Sequence, residues 1–147
     1  MTIKNLISFK VAQMDANNES YSFLHSEKDW QNLNGDQAIL PAVYMDMPIK
    51  YRTKTSVTGY KEKTYILMLL FLFKSELDDL PGQQEITFLK AENAQQQFEI
   101  ILDNDADNIS SWTSGECMQV LNLFDCNMSG VLMPLEITLR NNDSVCL

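Results

Sequence analysis

Histidine is nearly absent from this chain, with His25 standing alone in 147 residues. Ser-His or Cys-His catalysis would have to run through that one imidazole, and nothing in its sequence surroundings argues for either. The three cysteines, Cys117, Cys126 and Cys146, are odd in number and form no C-x-x-C pair. That argues against a disulfide framework and against a cysteine-built zinc site, and it makes a reducing compartment the default. The five glycines are scattered at 35, 59, 82, 115 and 130, none in a Gly-rich loop after a strand, and no serine has a nucleophile-elbow context. Basic charge is also scarce: 11 Lys and Arg against 20 Asp and Glu leave a net charge of -9. A surface of that sign repels phosphate and argues against a dedicated nucleic-acid binder, while leaving room for a local basic patch. The N-terminus, MTIKNLISFKVAQMDANN, lacks the unbroken apolar stretch of roughly 7 to 15 residues that a secretory signal needs, so the mature chain is expected to begin at Met1 or Thr2. The only long apolar run, Tyr65 to Phe73 (YILMLLFLF), falls well short of the roughly 20 residues of a spanning helix and reads as core.

What the chain does have is material for a core. With 45% hydrophobic residues and 21% charged, it fits a single globular domain over 1–147 that needs no disulfide or metal to hold it together. There is no internal repeat and no low-complexity linker. Ile3, Leu6, Ile7, Lys10, Val11 and Met14 recur at helical spacing behind Thr2 as N-cap, which predicts an amphipathic helix over 2–15. Tyr21 to His25 reads as a short strand. Ala38 to Met45 is apolar but contains Pro41, which demotes it to an edge strand or a bulge. Lys50 to Val57 and Tyr60 to Phe73 form a long β-hairpin around Thr58-Gly59, with a polar, basic tip. After Pro81-Gly82, the spacing of Ile86, Leu89, Ala94, Phe98, Ile101 and Leu102 predicts a helix of about 20 residues. DNDADNISSWTSGE reads as a loop. Cys117 to Phe124 and Val131 to Leu139 read as strands, with Gly130 between them at a position expected to need a positive φ, and 141–147 as a frayed tail. The expectation is an α+β domain, in the order α-β-β-β-α-β-β, with a mostly antiparallel sheet, a long β-hairpin and two helices.

Tyr65 to Phe73 shows no polar/apolar alternation, so both faces of this strand should be covered. Two helices on one face would leave the other to be covered by a second subunit; one helix per face is the simpler arrangement.

Three clusters suggest chemistry. Asp103, Asp105 and Asp107 resemble the first half of a calcium loop, but Ser114 stands where a bidentate Glu is required, and a solvated loop is the plainer reading; any cation binding there would be weak. His25, Glu27 and Asp29 alternate and would share a strand face, a thin ligand or acid–base set beside its plainer reading as a rim histidine among surface acids. The charge distribution carries more. Residues 50–74 hold six basic groups (Lys50, Arg52, Lys54, Lys61, Lys63, Lys74) and one acid, Glu62, whereas residues 75–147 hold two basic groups and thirteen acidic ones. A positive hairpin on a negative body suits contact with an acidic neighbour or a phosphate backbone, although edge-strand lysines also serve simply to block aggregation. Trp30, Tyr44 and Trp112 sit in or beside loops or an edge strand, as interface anchors or as local lids on the core. The eight methionines suit adaptable packing.

Taken together, YSFLHSEKDWQNLNGDQAILPAVYMDMPI, the strand YILMLLFLFKSELDD with its Gln-rich following helix, and NLFDCNMSGVLMPLEITL resemble the small neck proteins of tailed bacteriophages, of tail-terminator or head-tail connector type. The strand Leu40, Pro41, Ala42, Val43, Tyr44 and the turn Asp125, Gly130, Val131 are similar to versions from phages of Bacteroidetes hosts. The resemblance implies a structural virion protein, made in the host cytoplasm, that assembles as a ring of six or twelve copies around a DNA channel. It implies no catalysis, no cofactor and no metal, and as partners further copies of the chain and neighbouring neck or tail proteins, with DNA passing through unbound. In such a ring the hairpin (Lys50, Arg52, Lys54, Lys61, Lys63) would reach a neighbour, with Trp30 and Tyr44 as further interface candidates. Asp103, Asp105, Asp107 and Asp125 would line the channel, because a basic wall would hold DNA through counterion release. Two readings from other classes stand beside it: an acidic binding module or inhibitor acting as a decoy for a basic or nucleic-acid-binding target, and a small enzyme using His25.

Overall fold

The computed structural model describes residues 2–26, 39–55, 57, 59, 61–121 and 127–140. Helix α1 (Ile3–Ala12) starts where Thr2 accepts a hydrogen bond from the Asn5 amide at 3.2 Å, and it buries Ile3, Leu6, Ile7 and Val11. Strands β1 (Ser22–Leu24), β2 (Ala42–Met45), β3 (Lys50–Thr55) and β4 (Lys61–Lys74) follow, then helix α2 (Pro81–Asp103) and strands β5 (Ile109–Ser114), β6 (Met118–Val120) and β7 (Met128–Leu139). The class is α+β and the sheet is mostly antiparallel, with the β1–β2 pair parallel. Four strands precede the second helix and three follow it, one more on each side than the expected order.

The sheet is built outward from β4. One edge of this strand pairs with β7 from Thr64↔Thr138 to Lys74↔Met128. Its other edge is shared by β3, which pairs with Lys61–Ile66, and β2, which pairs with Leu69–Leu72. The outer edge of β7 is divided in the same way between β5 and β6. Pro134, in the middle of this central strand, directs its carbonyl to the Gly115 amide at 3.0 Å. Its missing N–H therefore falls between β5 and β6, where no ladder bond is lost.

Three expectations are corrected. The segment at Pro41 is not an edge strand: β2 begins one residue after the proline and pairs on both sides, with β1 and β4, while the Pro41 carbonyl accepts from the Ser22 amide at 3.1 Å. The stretch Ile109–Ser114, expected as loop, is strand β5. Its small polar residues face solvent, and only Ile109 and Trp112 turn toward the core. Gly130 lies inside β7 opposite Leu72, and the glycine with positive φ among the described residues is Gly59 in the hairpin turn. Gly130 is needed for close approach, since a Cβ there would stand 1.7 Å from the carbonyl oxygen of Phe71.

Both helices pack on one face of the sheet. Leu6, Ile7 and Val11 of α1 and Ala91, Ala94, Phe98 and Leu102 of α2 join Leu67, Leu69, Phe71 and Phe73 of β4 and Val131, Met133, Leu135 and Ile137 of β7 in the main core. The alternate residues point the other way. Of these, Leu70 and Leu72 form a second buried cluster with Tyr44 and Met128, flanked by Leu24, Leu40, Val120 and Leu132. That cover stops short of the hairpin, and on the same face Ile66 is 38% and Met68 39% exposed. The missing alternation in β4 thus reflects two unequal cores, and the apolar surface left open lies on the side away from the helices.

Leu69, fully buried in the main core, and its half-exposed neighbour Met68 test this assignment. Leu69→Asp buries a carboxylate without a partner and should unfold a domain whose stability is on the order of 5 to 15 kcal/mol, whereas Met68→Asp should shift the melting temperature by only a few degrees. Comparable melting of the two variants by circular dichroism would refute the facing of β4.

Candidate assembly surfaces

The hairpin carries the five cationic residues on one element but two faces, with Lys50, Arg52 and Lys54 on one side and Lys61 and Lys63 beside Tyr51 on the other. All six residues of β3 are exposed, and Val57 at the tip is fully so. Lys61–Lys63 pair with β3 alone, beyond the last β4–β7 pair at Thr64, so the tip stands clear of the sheet. Its side chains are held locally. Lys61 Nζ donates to Thr55 Oγ1 across the hairpin at 2.6 Å, and Lys63 lies over the Tyr51 ring, 5.3 Å from its centroid. Tyr51 in turn packs on Tyr65 at a centroid separation of 5.8 Å. Arg52 reaches back to Glu136 with contacts of 2.9 and 3.4 Å, but both side chains are about half exposed, and such a pair contributes roughly 1 kcal/mol at most. Lys50 and Lys54 project from the same face of β3 as Arg52. The arrangement combines dense positive charge with an exposed aromatic ring and spends little of that charge on the fold.

Other candidates fare differently. Tyr44 is 1% exposed and sits in the second core, so it anchors β2 and not a partner. Trp112 is half-buried against the main core, and its indole N–H donates to Asp103 Oδ1 at 2.9 Å, which makes it a local lid. Trp30, Glu27, Asp29, Asp125 and the tail 141–147 lie outside the described residues. His25 is half-buried, with Nδ1 2.8 Å from the carbonyl oxygen of Met45. The Cys117 thiol is pushed up in pKa by desolvation around its sulfur and by nearby Glu99, so it stays protonated at neutral pH, unlike an activated nucleophile.

The acidic run after α2 is largely committed to the fold. Lys10, in the last turn of α1, places Nζ 2.6 Å from Asp105 Oδ2, with both side chains nearly buried. Asp105 also accepts from the Asn108 side chain at 3.0 and 3.1 Å. The Lys10 ammonium holds the Asp105 carboxyl below the usual carboxylate range, against the opposing effect of desolvation, with Asn108 assisting. Asp105 is therefore not a free wall charge or a cation ligand, because it already neutralises a cation drawn in by the helix. Asp103 receives Trp112, which leaves Asp107 as the exposed, uncommitted member of the run. Among the described residues no group of three or more His, Cys, Asp or Glu converges as a metal site. Sequence spacing had no means of finding the Lys10–Asp105 pair, whose members are separated by most of the chain.

No model of a known protein family matches the chain, and no curated protein matches it. Function is therefore argued from these surfaces.

The Lys10–Asp105 pair makes a pH-dependent contribution. Because the folded carboxyl titrates below its unfolded value, that contribution is complete above roughly pH 4 and is lost as the pH falls through the lowered value. Lys10→Met, which keeps the aliphatic packing, should cost about 1 to 3 kcal/mol in urea unfolding at pH 7, and the gap from the parent should narrow markedly at pH 2.5. A gap independent of pH would place the cost in packing instead.

Proposed function

We propose that the protein is a structural component of a tailed-phage virion, assembling as a ring at the head-tail neck or tail end. The observation that carries this reading is the β3–β4 hairpin. It concentrates Lys50, Arg52, Lys54, Lys61 and Lys63 on an element that stands beyond the β4–β7 ladder and buries none of its β3 residues, so its charge does little for the stability of its own subunit. Charge carried on a projecting element contributes to association, where complementary potential sets the partner and the register. The half-open sheet face at Ile66 and Met68 adds apolar area that a neighbour can cover. In the ring, the acidic body, with Asp107 as an exposed member of the C-terminal run, keeps the channel from gripping DNA, while the basic hairpin is turned toward protein.

Replacing Lys54, Lys61 and Lys63 with Glu should leave the melting temperature within a few degrees and weaken self-association at least tenfold by light scattering or sedimentation. Wild-type protein should form a closed oligomer when concentrated and should show no tight, salt-sensitive binding to duplex DNA. A monomer at all concentrations that captures one basic partner would favour the acidic decoy instead.

A further inference from the structure

The end of the sheet opposite the hairpin carries a second unpartnered surface. Every fully buried residue of α2 lies from Ala91 onward, so its first ten residues, Pro81–Lys90, about 15 Å of helix, hold no fully buried side chain, with Gln84, Thr87 and Phe88 half-buried on the inner side. On this half of the helix and the turn that leads into it, Leu77, Leu80, Ile86 and Leu89 are 58 to 69% exposed. Ile86 and Leu89 are three residues apart, so they share one helical face. Four large apolar side chains within thirteen residues of sequence form an exposed patch of the kind that marks contact with another protein.

The charges around this patch are the reverse of those on the hairpin. Glu76, Asp78 and Glu85 are exposed, and their carboxylates make no hydrogen bond or ion pair among the described residues; Asp79 caps the turn by accepting from the Glu76 amide at 3.0 Å. Lys74 and Lys90 flank the patch and leave its net charge negative. By contrast, three of the acids at the hairpin end of the sheet are engaged within the subunit, Asp105 by Lys10, Asp103 by Trp112 and Glu136 by Arg52, while Glu62 and Asp107 stay exposed. The hairpin supplies the matching elements, with exposed Tyr51 beside Lys61 and Lys63 on one face, Lys54 on the other, and Val57 at the tip.

The two surfaces stand at opposite ends of one strand. β4 leaves the hairpin turn at Lys61 and reaches the turn before α2 at Lys74, fourteen residues or about 45 Å away. They are thus too far apart to meet within a subunit and are arranged to meet between subunits. We infer that the basic, aromatic hairpin tip of one copy docks on the acidic, apolar start of α2 in the next copy, giving a head-to-tail interface. This rests on the ring reading and names the acceptor surface within it. A head-to-tail contact uses two different patches on each subunit, so it repeats from copy to copy and gives a ring where its rotation closes.

Charge reversal with complementation tests the pairing. One variant carries Lys54→Glu, Lys61→Glu and Lys63→Glu; the other carries Glu76→Lys, Asp78→Lys and Glu85→Lys. Each alone should associate at least tenfold more weakly than wild type, because like charges then face each other. Mixed in equal amounts they should co-assemble, since each reversed hairpin meets a reversed acceptor, and a chain carrying all six changes should self-associate again. Ile86→Ser with Leu89→Ser should weaken wild-type association in high salt as well, where the ionic part is screened. Circular dichroism of each variant checks that the exposed substitutions leave the fold intact. Assembly of the wild type that is untouched by the acceptor variant, or variants that never complement, would overturn this interface while leaving the ring reading in place. A wild type that never self-associates would overturn both.

Discussion

The ladder between β4 and β7 is the constraint on which the other elements depend. It runs from Thr64↔Thr138 to Lys74↔Met128, and its two strands supply inward residues to both faces of the sheet. Once these strands pair, their alternation sets what each face must receive. Leu67, Leu69, Phe71 and Phe73 beside Val131, Met133, Leu135 and Ile137 form an apolar floor that α1 and α2 cover. Gly130 shows how tight the junction is, because no side chain fits between its backbone and that of Phe71. The smaller Leu70, Leu72 and Met128 cluster on the reverse face then fixes the place of β2 through Tyr44.

Polar groups at the margins of this core tie distant segments together. The Lys10–Asp105 pair joins the end of α1 to the turn after α2, and Gln97 of α2 accepts from the amides of Asp15 and Ala16 at 3.0 and 2.8 Å. Ser75 meets Ser129 at 2.9 Å and Thr64 meets Thr138 at 2.7 Å, near the two ends of the central ladder. These contacts orient the helices on the sheet, and they use acids that composition alone would assign to the solvated surface. The fold thereby internalises part of its negative charge while leaving the positive charge of the hairpin outside.

That division underlies the proposed function. Hairpin cations and the exposed side of the start of α2 add little to the core, yet both expose large apolar or aromatic side chains beside charge of one sign. In the proposed ring, Val57, Leu80, Ile86 and Leu89, which the folded subunit leaves exposed, are the side chains a neighbouring copy covers. The β4 strand holds the two surfaces at a fixed separation, so in the proposed ring rigidity in the sheet becomes geometry between subunits.

Local spacing made several elements legible. The apolar positions of α1 and α2, the N-cap at Thr2 and the hairpin around Gly59 follow from patterns that act within a few residues, and β4 announced its burial by lacking alternation. The basic hairpin was likewise visible as a block of charge. Tertiary structure decided what depends on non-local partners. β5 is a strand because β7 offers it an edge, although its Ser and Thr residues read as loop. β2 is internal because its proline precedes the paired residues, which buries Tyr44 where an exposed anchor was expected. Asp105 is neutralised by a lysine brought from far along the chain, and the start of α2 keeps Ile86 and Leu89 exposed because the helix's fully buried positions begin only at Ala91. Periodicity reports which side of an element is apolar, but only the packed fold determines which apolar sides find cover and which remain for another molecule.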